Sequence, residues 1–232
     1  ILRSVYNKAV GEGIASQRAP FEKVYTGVDK TRKRAVDMAT IESLRKLDLR
    51  GSRSLAYARD LFVFSFYMRG MAFVDMAYLR KSDVRDQTAQ YIRRKTGQSL
   101  CIRLEPCITE IIRRYARKTK NSPYVFPIIA ATDENEAYAQ YQNALSYYNK
   151  LLKKLSKLLQ ADTPLSSYVS RHTWATTARN CDIPLSVISA GLGHRSQATT
   201  QIYLASLEDS VIDEANRKII FSLNRPGKTS SL

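Results

Sequence analysis

Histidine is scarce in this 232-residue chain, with only His172 and His194, and cysteine is limited to Cys101, Cys107 and Cys181. These five residues show no metal-ligand spacing, so a metal site is not expected, and no motif points to another cofactor. An odd cysteine count does not suit a disulfide framework, and a reducing cytoplasm is the simple reading. No apolar run approaches the roughly 20 residues needed to cross a bilayer, so no membrane partner is expected. Internal repeats and low-complexity stretches are lacking too. There is no initial methionine and no signal-peptide layout. Ile1-Leu2-Arg3-Ser4-Val5-Tyr6 reads as a helix cut in its middle, with a longer protein expected ahead of it. Acid is in short supply, with 21 Asp+Glu against 37 Lys+Arg and a formal charge of +16. Such an excess favours a polyanionic partner, because lysines and arginines laid on phosphates release condensed counterions. The alternative is a basic surface kept for solubility. Composition does not choose DNA over RNA.

What is present is ordinary for a globular protein: 44% hydrophobic and 25% charged residues. A helix over residues 1–10 is interrupted by Gly11-Glu12-Gly13, and residues 14–35 read as a linker. Within it, Lys30-Thr31-Arg32-Lys33-Arg34 is either a solvated stretch or a strap against a DNA backbone. Thr40 is expected to cap a helix over 41–48. The apolar, Phe- and Tyr-rich run 55–68 is too long for an ordinary strand and predicts a buried helix, with a second at 72–79. Tyr91 to Lys95 and Leu100 to Leu104, joined through Gly97, predict a hairpin, with a short strand over 84–87. Helices are expected at 107–119, 134–160, 167–180, 184–190, 196–204 and 208–221. Leu145, Tyr148, Leu152, Leu155 and Leu159 form the inner stripe of the long one. The class is α+β, mainly helical, with one small antiparallel sheet.

Chemistry concentrates near the C-terminus. Tyr168-Val169-Ser170-Arg171-His172-Thr173-Trp174-Ala175-Thr176 precedes Gly191-Leu192-Gly193-His194-Arg195, and Tyr203 falls nine residues after His194. Singly these residues have ordinary explanations: Arg171 can pair with a carboxylate, His194 can cap a helix, and Trp174 belongs in a core. Together they suit phosphoryl transfer, with arginine and histidine on two nonbridging oxygens while a phenolate attacks phosphorus. Gly191 and Gly193 suit positive-φ positions in a turn that presents His194.

Arg171-His172 with Trp174-Ala175-Thr176, then Leu192-Gly193-His194, then Thr199-Thr200-Gln201-Ile202-Tyr203, resembles the C-terminal signature of the tyrosine recombinase/integrase family. The resemblance runs over about residues 36–222, the expected catalytic domain, followed by a tail at 223–232. Residues 1–13 resemble the end of that family's core-binding domain. The resemblance implies a bacterial, DNA-associated enzyme that cuts and rejoins double-stranded DNA without metal or ATP, as a homo-oligomer and a tetramer in the synapse. It implies Tyr203 as the nucleophile leaving a 3′-phosphotyrosyl link, and Arg171 as a phosphate clamp. His194 would stabilise the transition state, and Lys95 would protonate the departing 5′-oxygen. An ammonium gives up its proton readily only beside other positive charge.

Two positions depart from the family pattern. Tyr168 stands where a histidine is common, three residues before Arg171; its hydroxyl can still donate to phosphate. Ala72 stands where a first catalytic arginine is expected. Arg69, one helical turn upstream if the helix continues, and Arg93, on the same strand face as Lys95 by alternation, are the substitutes, with Arg93 preferred. Arg69, Arg94 and Arg195 join Lys30, Arg32, Lys33 and Arg34 as candidate DNA-backbone contacts. The competing readings are a DNA-binding module with a lapsed site, a tyrosine-dependent topoisomerase and a basic RNA-binding protein. The amphipathic segment after Leu207 packs either on its own core or on a neighbouring subunit.

Overall fold

A computed structural model describes residues 2–24, 35–194 and Thr200. Tyr203, Arg195, the basic run 30–34 and the helices expected at 196–204 and 208–221 lie outside the described residues, Thr200 excepted. The chain divides into two compact units, Ile1–Arg32 and Lys33–Leu232.

In the first unit, helix α1 (Leu2–Gly11) has no buried residue. The residues after it fold back along the helix. Tyr6 Oη donates to the Ser16 carbonyl at 2.8 Å and accepts from the Arg18 amide at 2.7 Å, while the Tyr6 and Phe21 rings meet edge-on.

In the second unit, α2 (Met38–Lys46) starts earlier than predicted. Asp37, not Thr40, is the cap, its carboxylate accepting from the Thr40 amide at 2.7 Å. An aspartate accepts strongly from the free first-turn amides, and its position decides where the helix begins. Helix α3 (Arg53–Tyr67) is buried without a break from Asp60 to Phe66. A helix apolar on every side belongs at the centre. It packs against α2, α5 (Pro106–Tyr115), α6 (Glu134–Leu158) and α7 (Val169–Asn180). Phe62 and Phe64 are fully buried, and each such side chain stabilises the fold by about 1.5–3 kcal/mol. The central Asp60 carboxylate is satisfied by Tyr115 Oη at 2.8 Å and by Arg59 and Arg114.

The predicted stripe on α6 holds with a shift: Tyr148, Leu151, Leu152 and Leu155 are buried, while Leu145 and Leu159 pack against the core's margin. A three-stranded antiparallel sheet, β1 (Val84–Arg85), β2 (Thr88–Ile92) and β3 (Ser99–Arg103), lies in sequential order. Tyr91 opposes Leu100 and Ala89 opposes Ile102. These four residues form the sheet's inner face by simple alternation. Helix α3 stops at Tyr67 because Arg69 and Gly70 both have positive φ, +56° and +70°. The next helix, α4 (Phe73–Ala77), is shorter than the predicted 72–79. Helix α8 (Leu185–Leu192) completes the described elements.

Candidate active site

The site is built on the end of α8. Gly193 adopts φ +62°, which a left-handed cap requires and glycine supplies without strain. The Gly193 amide donates to the Ala190 carbonyl and the His194 amide to the Ser189 carbonyl, the paired bonds of a Schellman cap. The carbonyls of Leu192 and Gly193 are free for other donors, and each takes a guanidinium. Arg171 Nη2 donates to Leu192 O and Arg93 Nη1 to Gly193 O, both at 2.5 Å. A helix C-terminus carries partial negative charge, so it favours cations there.

Both arginines are buried, Arg93 at 5% and Arg171 at 3% exposure. Arg171 reaches the turn from α7 and also donates to the Gly70 carbonyl at 3.0 Å. A Cβ on Gly70 would stand 2.5 Å from Arg171 Cα, so only glycine lets the two backbones approach this closely. The Ser65 and Ser170 hydroxyls, 2.7 Å apart, fasten α3 to α7 beneath it. Gly193 is needed twice over, since a Cβ there would meet Arg93 Cδ at 2.8 Å.

His194 faces Arg171, its Nε2 lying 3.1 Å from Arg171 Nη2, and its Nδ1 is 2.7 Å from Thr200 Oγ1. Partial burial, and then the charges of Arg171, Arg93 and Lys95, hold its pKa down to about 4. The imidazole is therefore neutral at pH 7. Among the described residues, Asp75 on α4 is the acid beside this cationic cluster. Its Oδ1 accepts from the Arg94 amide at 2.8 Å, and its Oδ2 lies 3.8 Å from Arg93 Nε without a hydrogen bond. Burial raises its pKa, against the pull of the Arg94 amide and the Arg93 charge. Among the described residues, the Asp75 carboxylate is set against two buried guanidiniums, an excess of positive charge that suits a phosphate diester.

The structure corrects several placements. Arg93 and Lys95 were expected on one strand face, but β2 ends at Ile92. The chain turns through residues 93–98, with the Gly97 amide donating to Arg93 O at 2.8 Å and Gly97 at φ +68°. Arg93 continues the inner face of Ala89 and Tyr91, whereas Lys95 is exposed on the turn, near enough for its charge to reach His194. Arg69 does not lie one helical turn before Ala72, because α3 has already ended. Ala72 is the N-cap of α4. Gly191 is not a positive-φ residue; it is an α8 residue whose missing Cβ admits Trp174, with Cη2 2.8 Å from the ideal Cβ position. Tyr168 begins α7, exposed, with its ring edge-on to His172 at 5.0 Å. Arg94 is exposed and stacks its guanidinium on Tyr78 at 3.8 Å.

Gly70, Asp75 and Thr200 were not read as site residues. Thr200 stood inside a quoted motif with no role.

The family model of the phage integrase family matches residues 36–209, about three quarters of the sequence. The chain belongs to that family. Similar folds occur in XerA recombinase (TM-score 0.55, 19% identity, 83% of this chain and 66% of that one). They occur also in a lambda integrase dimer bound to a core site (0.61, 16%, 87% and 69%). The integrase of transposon Tn1549 in complex with circular intermediate DNA is a third (0.60, 15%, 93% and 75%). At these identities the likeness is one of fold, and the chain spans slightly less than two thirds of XerA. Curated proteins return no match. Among the described residues no helix is long and apolar enough to cross a membrane.

Proposed function

We propose that this chain is the catalytic domain of a site-specific DNA recombinase that breaks and rejoins strands through a 3′-phosphotyrosyl bond to Tyr203. The observation that carries the reading is the meeting of Arg93, Arg171 and His194 at one helix end, from three separate segments of the chain. Two guanidiniums and an imidazole, with Asp75 the acid beside them among the described residues, match the nonbridging oxygens of a phosphate diester.

The Tyr203 phenolate attacks phosphorus and the 5′-oxygen departs. Arg171 and Arg93 neutralise charge on the two nonbridging oxygens as the pentacoordinate transition state forms. Both are held at the site by carbonyls of the α8 turn, Arg93 on Gly193 O and Arg171 on Leu192 O. Arg93 thereby supplies the guanidinium that Ala72 cannot. Lys95, on the exposed hairpin turn, is placed to approach bound DNA and deliver a proton to the leaving oxygen. Attack by a free 5′-hydroxyl on the phosphotyrosyl bond reverses these roles and rejoins the strand. The bond conserves energy, so the cycle consumes no ATP. Lys30, Arg32, Lys33, Arg34, Arg69, Arg94 and Arg195 grip backbone phosphates, and a tetramer assembles on the paired sites. Neighbours of similar fold that are bound to DNA support the choice of partner.

The test is trapping on a nicked duplex built on the site this protein selects from a random DNA pool. The nick lets the short cleaved product diffuse away, so the covalent complex accumulates. A denaturation-resistant adduct that disappears in Tyr203→Phe is expected. Tight binding without an adduct would favour the DNA-binding module with a lapsed site.

A further inference from the structure

The recombinase reading leaves one buried contact at the site without a task. Thr200 is fully buried and its hydroxyl sits 2.7 Å from His194 Nδ1, on the side of the ring opposite Arg171. The tautomer follows from the partners. A guanidinium only donates, so Arg171 Nη2 at 3.1 Å requires a lone pair on His194 Nε2. The ring proton must then sit on Nδ1, where the Thr200 oxygen accepts it. We infer that Thr200 is a positioning residue, fixing His194 as the Nδ1–H tautomer with Nε2 as the atom presented beside Arg171.

This assignment deepens the recombinase reading and rests on it for its catalytic consequence. Before DNA arrives, Nε2 is covered by Arg171, and each group keeps the other in place. When a phosphate enters, Arg171 turns its Nη2 donor to a nonbridging oxygen. Nε2 takes up one proton from water, supported by the phosphate's negative charge, and the resulting imidazolium donates from Nε2 to the phosphate. Nδ1–H donates to Thr200 in both states, so the ring need not rotate or exchange tautomers during the reaction. Among the described residues, Arg171 from α7 and Arg93 and Lys95 from the hairpin act on the ring, and each favours the neutral form until the phosphate is bound. An imidazole is commonly oriented in this way by whatever its second nitrogen bonds, and for metal-bound histidines losing such a partner costs about ten- to a hundredfold, the scale taken here.

The test reads the ring directly. The chain has only two histidines, so long-range nitrogen–proton correlation on 15N-labelled protein at pH 7 gives two ring patterns, and His172→Gln assigns them. The wild type is expected to show His194 as Nδ1–H. Thr200→Val should shift it to the Nε2–H form or a mixture and slow adduct formation about ten- to a hundredfold. Thr200→Ser should restore both, and Thr200→Ala repeats the test if the valine variant does not fold. A wild-type His194 in the Nε2–H form, or an unchanged tautomer in folded Thr200→Val or Thr200→Ala, would overturn the assignment. So would a tautomer change with no loss of cleavage rate. A wild type that forms no adduct would refute the recombinase reading alone, because the nitrogen pattern does not depend on cleavage.

Discussion

Replacing Arg93 with alanine separates a catalytic guanidinium from a structural one. The side chain is 5% exposed, and its Nη1 is fixed on Gly193 O at 2.5 Å. A donor so placed acts in a low-dielectric setting and needs no reorganisation. Removing one such donor costs about 10²–10³ in rate, or about 2.7–4 kcal/mol. Since Arg171 remains on the same phosphate, the lower end, about 10², is expected. Stability changes as well, because Asp75 Oδ2 has no hydrogen bond and loses its nearest cation. That loss is on the order of 1–3 kcal/mol, below the figure for a hydrogen-bonded buried pair. The double variant Arg93→Ala/Asp75→Asn removes both charges and keeps an acceptor for the Arg94 amide, so it should recover most of the Tm but none of the rate. The assay is single-turnover adduct formation on DNA with an ordinary scissile phosphate and on DNA with a methylphosphonate there. The methylphosphonate carries no negative charge and needs one guanidinium fewer. Arg93→Ala should lose about a hundredfold on phosphate and at most about tenfold on methylphosphonate. Wild-type cleavage of the phosphate, or an equal loss on both substrates, would refute the reasoning.

Lys95→Ala should lose about 10²–10⁴ in cleavage of ordinary DNA and regain most of it when the leaving 5′-oxygen is replaced by sulfur, which departs without a proton; measured single-turnover rates on the two substrates decide this. Gly70→Ala should destabilise by at least about 1–2 kcal/mol from its left-handed φ alone and displace Arg171 by the close contact, which thermal unfolding and adduct yield both register. His194 is held below its ordinary value, to about 4. The unfolded chain therefore binds a proton that the folded chain refuses between pH 6.5 and 4, and stability falls as pH falls through that window. The stability advantage of wild type over His194→Gln should shrink across this window by on the order of 1 kcal/mol, allowing for solvent screening of a half-buried ring, as read by denaturant titration at each pH.

The helical class, the small sheet and the central helix were legible because periodicity and length carry them: a run from Leu61 to Met68 that is apolar or aromatic at every position but Ser65 has few other uses. The order Arg171, Gly193, His194 marked residues that the structure brings together, and the cap at Gly193 explains why. The same turn presents the histidine and frees two carbonyls for arginines. Backbone geometry was harder to read. Alternation places Arg93 inside because Ala89 and Tyr91 are inside, but it fails two residues later, where the chain turns at Gly97. Arg69 looked one helical turn from Ala72 until the positive φ of Arg69 and Gly70 ended the helix. The Gly70–Arg171 approach and the Thr200–His194 bond join residues 101 and 6 positions apart. Neither has a periodic signal, since one depends on a missing Cβ and the other on a hydroxyl's direction.

The central claim is that Tyr203 forms the covalent bond to DNA. It is tested most directly by digesting the trapped adduct and locating the modified peptide by mass spectrometry. The account predicts one nucleotide remnant, linked through a 3′-phosphate to Tyr203 and to none of the other tyrosines among the 14. A remnant on a different residue, or a protein that binds its site tightly and never becomes linked to it, would contradict the account.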